Sequence, residues 1–182
     1  EYGISDRFAA ALAVGYLRTS GATGSDESGL ADTRVGLRWM AVDEIKSDPF
    51  PTISLRLGAI IQGSYDASSV GFPNTPGTGA SGIEFSGLMG KTIGETGLTA
   101  YGELGFRVWT DDVPADFFAS AGLNYSLPRN FSVSAGLTHT QSLSGLDAGS
   151  PGFVPAQSPE LKRISNDLDF GLGYQDQGGR HY

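Results

Sequence analysis

Eight stretches of this chain alternate with a period of two, and in each the two alternating sets differ in kind. From Phe8 every second residue is apolar (Phe8, Ala10, Leu12, Val14, Tyr16), and the intervening set is uniformly small (Ala9, Ala11, Ala13, Gly15). Similar stretches follow at Arg34–Met40, Ile53–Gln62, Ile83–Gly90, Leu98–Trp109, Phe117–Leu127, Phe131–Thr138 and Asp167–Tyr174. Strict alternation puts successive side chains on opposite sides of a strand, so each stretch predicts a strand with two unlike faces. The longer stretches run to about 9–12 residues, the length a tilted strand needs to cross a bilayer. Strands of water-soluble domains average roughly 5–6. No amphipathic helix competes, and no run approaches the roughly 18 apolar residues of a membrane helix.

The connections alternate too. Tight ones are expected at Ile4–Asp6, Gly94–Gly97 and Pro128–Asn130, with an intermediate one at Asp43–Phe50. Wide ones are expected at Thr19–Gly29, Asp66–Gly79, Thr110–Ala115 and Ser144–Leu161. Strands running up and down would gather the wide loops at one end and the tight turns at the other. Membrane barrels of the outer-membrane type have this asymmetry.

Which face meets lipid is decided by the second face. It carries Ala9, Ala11, Gly58, Gly105, Gly122, Gly136 and Gly171, where a water-facing strand would carry Lys, Glu, Thr and Gln. Glycine makes up 27 of 182 residues, about twice ordinary usage, and charged residues only 18%. Small residues suit a narrow interior. The same face also carries Arg34, Arg38, Arg56 and Arg107 with Glu84, Glu103, Asp167 and Asp169. Four cations and four anions directed into one confined space can satisfy one another and set the selectivity of a lumen. The apolar face carries Phe8, Tyr16, Trp39, Phe117, Tyr125, Phe131 and Tyr174, mostly near stretch ends, as aromatic girdles at two membrane interfaces would be. The expectation is an all-β, antiparallel up-and-down transmembrane barrel, with residues 1–182 forming one domain of about eight strands.

Several stretches carry a resemblance. "YGISDRFAAALAVGY", "LADTRVGLRW", "YGELGFRV" and "NFSVSAGL" resemble Gram-negative outer-membrane proteins, most of all the transporters grouped with the meta-pathway phenol-degradation proteins. The resemblance implies a barrel in the cell outer membrane acting as a channel or uptake porin for small, hydrophobic or aromatic compounds. It implies no cofactor and transfers no catalytic residue. Tyr2 looks like the end of a further strand, and "QDQGGRHY" stands where another would begin. A sector of a ten- or twelve-stranded barrel is therefore expected, the alternative being eight strands closing on themselves.

Chemistry is sparse. There is no cysteine, and His139 and His181 are far apart, so no metal site is expected. Net charge is −8 with no basic cluster, which argues against nucleic acid. His139 and Ser142 differ by three positions, which does not put them on one strand face, so a lipid hydrolase is disfavoured and no enzyme is expected. Asp167 and Asp169 share a face and could do acid–base work, but membership of the charge network is the plainer assignment. "GSDES" and "DASS" read as hydrated acidic loops rather than calcium sites. The expected partners are the lipid bilayer and a small solute, with oligomeric state left open. Alternatives are a non-conducting structural or adhesive barrel working through its long loops, and a soluble barrel with an apolar ligand inside.

Overall fold

A computed structural model of the chain describes residues 1–20, 26–47, 49–64, 79–111, 113–145, 151 and 162–174. The connection at 65–78 and the stretch 175–182, with His181, lie outside the described residues, as do parts of "GSDES" and all of "DASS".

Alternation becomes strand wherever the sequence carries it. The elements are β1 (Tyr2–Gly3), β2 (Phe8–Ala13), β3 (Tyr16–Ser20), β4 (Asp26–Leu30), β5 (Thr33–Val42), β6 (Thr52–Ile61), β7 (Gly82–Ile93), β8 (Leu98–Trp109), β9 (Asp116–Ser126), β10 (Phe131–Ser142) and β11 (Ile164–Tyr174). Among the described residues there is no α-helix. Nine strands form one sheet in the order β1-β2-β5-β6-β7-β8-β9-β10-β11, every pair antiparallel, with β1 and β11 at the two edges. The chain is thus all-β and meanders up and down, as the alternation predicts.

Tyr16 differs from expectation. The first stretch was predicted to run from Phe8 to Tyr16, but β2 ends at Ala13 and Tyr16 opens β3, which pairs only with β4. The described parts of the expected wide loop Thr19–Gly29, residues 19–20 and 26–29, therefore belong to a two-stranded ribbon. Its register runs from Tyr16 opposite Leu30 to Ser20 opposite Asp26. The ribbon has no sheet partner beyond itself, so nothing selects a hydrophobic face in it, and the polar run at Asp26–Ser28 hides it from a period-two search. Ala31 N donates to Gly15 O at 2.8 Å and carries the hairpin across the break.

The two sheet faces differ in exposure, and the apolar one is the open one. Leu12, Leu57, Ile83, Met89, Leu104, Phe106, Val108 and Leu168 are all more than half exposed. On the opposite face Ser54, Glu84, Ser86, Asp116, Phe118, Thr140 and Ser142 are buried. Cross-strand register places side chains from neighbouring strands beside one another there. One row runs Ala9, Arg38, Arg56, Ser86, Gly105, Phe118, Thr140, Ser165. Gly105 is required in that row. A Cβ on it would lie 2.7 Å from the Phe85 carbonyl oxygen and would collide with the Phe118 ring, which lies over the bare backbone.

Exposed aromatics collect towards the ends of the apolar face. Phe8, opposite Trp39, sits at the tight-turn end with Tyr125 and with Phe131, whose ring centroid lies 5.1 Å from that of Tyr174. Towards the wide-loop end Phe85 pairs with Phe106, and Phe106 contacts Phe117 at 5.4 Å.

The turn at Pro128–Asn130 holds Arg129 at φ 63° and Asn130 at φ 64°. Left-handed backbone costs an ordinary residue roughly 1–2 kcal/mol relative to glycine, and Asn tolerates it better than Arg. Replacing Arg129 with glycine is therefore expected to stabilise the folded state by about 1 kcal/mol, read as a shift of the urea midpoint with an unchanged slope. A lower midpoint would show that the Arg129 side chain contributes more than its backbone costs.

Candidate functional site

Charge collects on the buried face where β6, β7 and β8 run side by side. Glu84 of β7 lies opposite Gly58 of β6 and Arg107 of β8, so its carboxylate has a bare backbone on one side and a guanidinium on the other. Arg107 Nε donates to Glu84 Oε2 at 2.6 Å. Arg56 Nη2 donates to Glu84 Oε1 at 2.8 Å and also to Glu103 Oε1, reaching over β7 to β8. The Arg107 guanidinium carbon is 4.1 Å from the centre of the Phe118 ring, a cation–π contact with the face of a buried aromatic. Four charged groups and one ring thus link four consecutive strands. The Glu84 side chain is only 7% exposed, so both ion pairs act largely out of water.

Arg56, Arg107, Glu84 and Glu103 meet in one cluster. Arg34 lies on the same face with Arg107, Glu84, Arg56 and Asp32 as its charged neighbours, but it forms no ion pair with a described carboxylate. Arg38 pairs with Glu1 instead. Asp167 and Asp169 stay apart from the cluster. They lie exposed on the edge strand β11, where Thr138 Oγ1 donates to Asp169 at 3.2 Å and Ser165 Oγ donates to Asp167 at 3.2 Å. Three strands separate β11 from β7 in the sheet, so the two aspartates do not join the cluster, and Glu1 beside Arg38 and Asp32 near Arg34 supply the remaining negative charge on this side.

A second buried polar cluster sits at the wide-loop end of the same face and has no counterpart among the predicted site residues. Asp116, 2% exposed, accepts from Trp109 Nε1 at 2.9 Å and Ser142 Oγ at 3.1 Å, and Arg163 Nη2 lies 3.7 Å away. Ser142 Oγ in turn accepts from the Arg163 backbone N–H at 3.1 Å. The cluster ties β8 to β11 across their ends. Continuing the Phe118, Ser120 alternation one step back reaches Asp116, and continuing that of Ser132 and Ser134 forward reaches Ser142.

His139 and Ser142 fall on opposite faces. His139 Nδ1 hydrogen-bonds Asn166 Oδ1 at 2.9 Å on the apolar side, while Ser142 is engaged by Asp116 on the polar side. His139 and Ser142 therefore form no pair. Among the described residues no group of three or more His, Asp or Glu is placed to hold a metal ion.

Two buried atoms in the first cluster lack a hydrogen-bond partner. They are Arg56 Nε and Ser86 Oγ, on residues directly opposite one another in the β6–β7 register. No family model matches the chain, and no curated protein matches it.

Proposed function

We propose that this chain forms the wall of an up-and-down β-barrel in a Gram-negative outer membrane and serves as a channel or uptake porin for small solutes. The observation that carries this is the inverted distribution of polarity. The sheet's apolar face is open, and the middle of its polar face, from Ser54 through Glu84, Ser86 and Asp116 to Thr140, is buried without any second layer among the described residues. Soluble monomers rarely leave apolar patches beyond a few hundred Å² uncovered. Here leucines, isoleucines and phenylalanines of every long strand from β2 to β11 form one such face. Lipid is the solvent that stabilises it, and a sheet curled with its charges inside accounts for the burial of Glu84 and Ser86.

The aromatic spacing fits. Phe117 and Tyr125 stand eight residues apart on β9, roughly 26 Å along the strand and about 20 Å after a tilt of ~40°, close to the apolar band of a membrane barrel. The likeness to the transporters grouped with the phenol-degradation proteins points the same way. One observation favours a second role, a non-conducting barrel that acts through its wide connections. Ser86, Glu84 and Phe118 are buried, as in a lumen filled by side chains.

The two tryptophans test the topology. Trp39 is on the apolar face and 40% exposed, whereas Trp109 points to the polar face and donates to Asp116. In vesicles of lipid with brominated acyl chains, wild-type fluorescence should be quenched strongly. Quenching should largely disappear in Trp39→Phe, which retains only Trp109. Equal quenching of both proteins would refute the lipid-facing assignment. Stepwise currents across planar bilayers would then separate the channel from the non-conducting barrel.

A further inference from the structure

The nine-stranded sheet sets a few polar side chains on its apolar face, and three of them are neighbours towards the wide-loop end. Thr33 opens β5, and Lys91 pairs with Glu44. The other three are His139 and Gln141 of β10 and Asn166 of β11. His139 stands opposite Asn166, and Gln141 is the next same-face residue of β10. Asn166 and Gln141 are exposed, and His139 is half-buried. Gln141 lies opposite Phe117, in the row that also carries Phe106 and Phe85. The patch therefore sits beside the wide-loop aromatics.

A polar side chain facing hydrocarbon costs free energy unless it is hydrogen-bonded. Part of that cost is met within the patch. An amide oxygen only accepts, so His139 Nδ1 donates to Asn166 Oδ1 across 2.9 Å. The contact orients the ring and, in the neutral imidazole, makes Nε2 an acceptor. The amide nitrogens of Asn166 and Gln141 are donors. On the other side of His139 stands Ala119, a low neighbour that leaves the ring accessible from above the sheet. A strand added beside β11 would extend the sheet and leave this face open, so closing the barrel supplies no partner.

We infer that His139, Asn166 and Gln141 form a lipid-headgroup site, and that the headgroup carries neighbouring hydroxyls, as a sugar does. A hydroxyl both gives and accepts, so adjacent hydroxyls meet Nε2 and an amide N–H together. A phosphate oxygen without a proton only accepts and would leave the neutral ring's Nε2 unmatched. This rests on the membrane placement proposed above and adds which kind of lipid is held at one point of the wall.

Native mass spectrometry reads the preference directly. The full chain is released from micelles holding equal amounts of a galactosyl diacylglycerol and a phosphatidylcholine with the same acyl chains. Wild type should retain the galactolipid in excess. His139→Leu and Asn166→Leu should each cut that excess about fivefold, the worth of one neutral hydrogen bond. Both put an apolar side chain on an apolar face, so folding should survive. Leu55→Met, in the same cross-strand row on β6, should change nothing. No galactolipid excess in wild type, or an excess that both leucine variants keep, overturns the headgroup site while the membrane placement stands. Wild-type dimers that His139→Leu dissociates assign the patch to a second copy of the chain and overturn the site as well. A chain that fails to insert into vesicles removes the membrane placement and the site with it.

Discussion

Glu84→Gln should destabilise the protein by about 3 kcal/mol, the lower part of the range for removing one partner of a buried ion pair. The glutamine fills the same space, so the loss is electrostatic and not a cavity. It leaves Arg107, whose side chain is 14% exposed, with no ion pair to a described carboxylate, while Arg56 keeps Glu103. That remaining partner is why the expected cost is not the full range. Urea unfolding from lipid vesicles measures it, and a double-mutant cycle with Arg107→Met isolates the coupling. In the double variant neither charge is left stranded, and much of the stability should return. A loss below about 0.5 kcal/mol in the single variant would mean that water reaches Glu84 freely, as it does at ordinary surface sites.

Leu104→Arg should cost about 2–4 kcal/mol in a bilayer, the range for arginine at the midplane of a barrel's outer face. Leu104 is near the middle of β8 and 61% exposed, with Gly87 and Ala119 as its cross-strand neighbours. Those small residues offer a long cation no polar partner nearby. At a site facing water the same change would be worth within ±0.5 kcal/mol. Folding yield and urea midpoint in vesicles, compared with Ser120→Arg on the other face of the neighbouring strand, separate the two environments. Indifference to Leu104→Arg in lipid would remove the main support for a membrane role.

Period-two patterning made the long strands legible because each face of this sheet meets one kind of environment over its whole length. Where that pressure is absent, the pattern is too. The β3–β4 ribbon has no sheet beside it, and its Asp26–Leu30 arm reads as loop. The buried pairing of Asp116 with Ser142 is not legible for a different reason. An acid or hydroxyl at a strand end looks like the start of a connection, and only the Trp109 and Arg163 groups brought against it by neighbouring strands reveal a buried role. The charge network was legible in its membership but not its pairing. Same-face position follows from odd and even numbering, whereas contact depends on which strands are adjacent. In a meander, Glu84 on β7 is beside Arg56 and Arg107, and Asp167 and Asp169 on β11 are not.

The odd number of strands in the sheet has a directional consequence. Alternate strands reverse, so β1 and β11 travel the same way. Sewn directly together, these two borders would make a parallel seam in an otherwise antiparallel ring. A uniformly antiparallel ring takes an additional strand running against both, or a β11 that bypasses the two-residue β1 and docks on β2 beyond Ala10. Cysteine pairs engineered across each candidate seam would bond only in the arrangement that the sheet adopts.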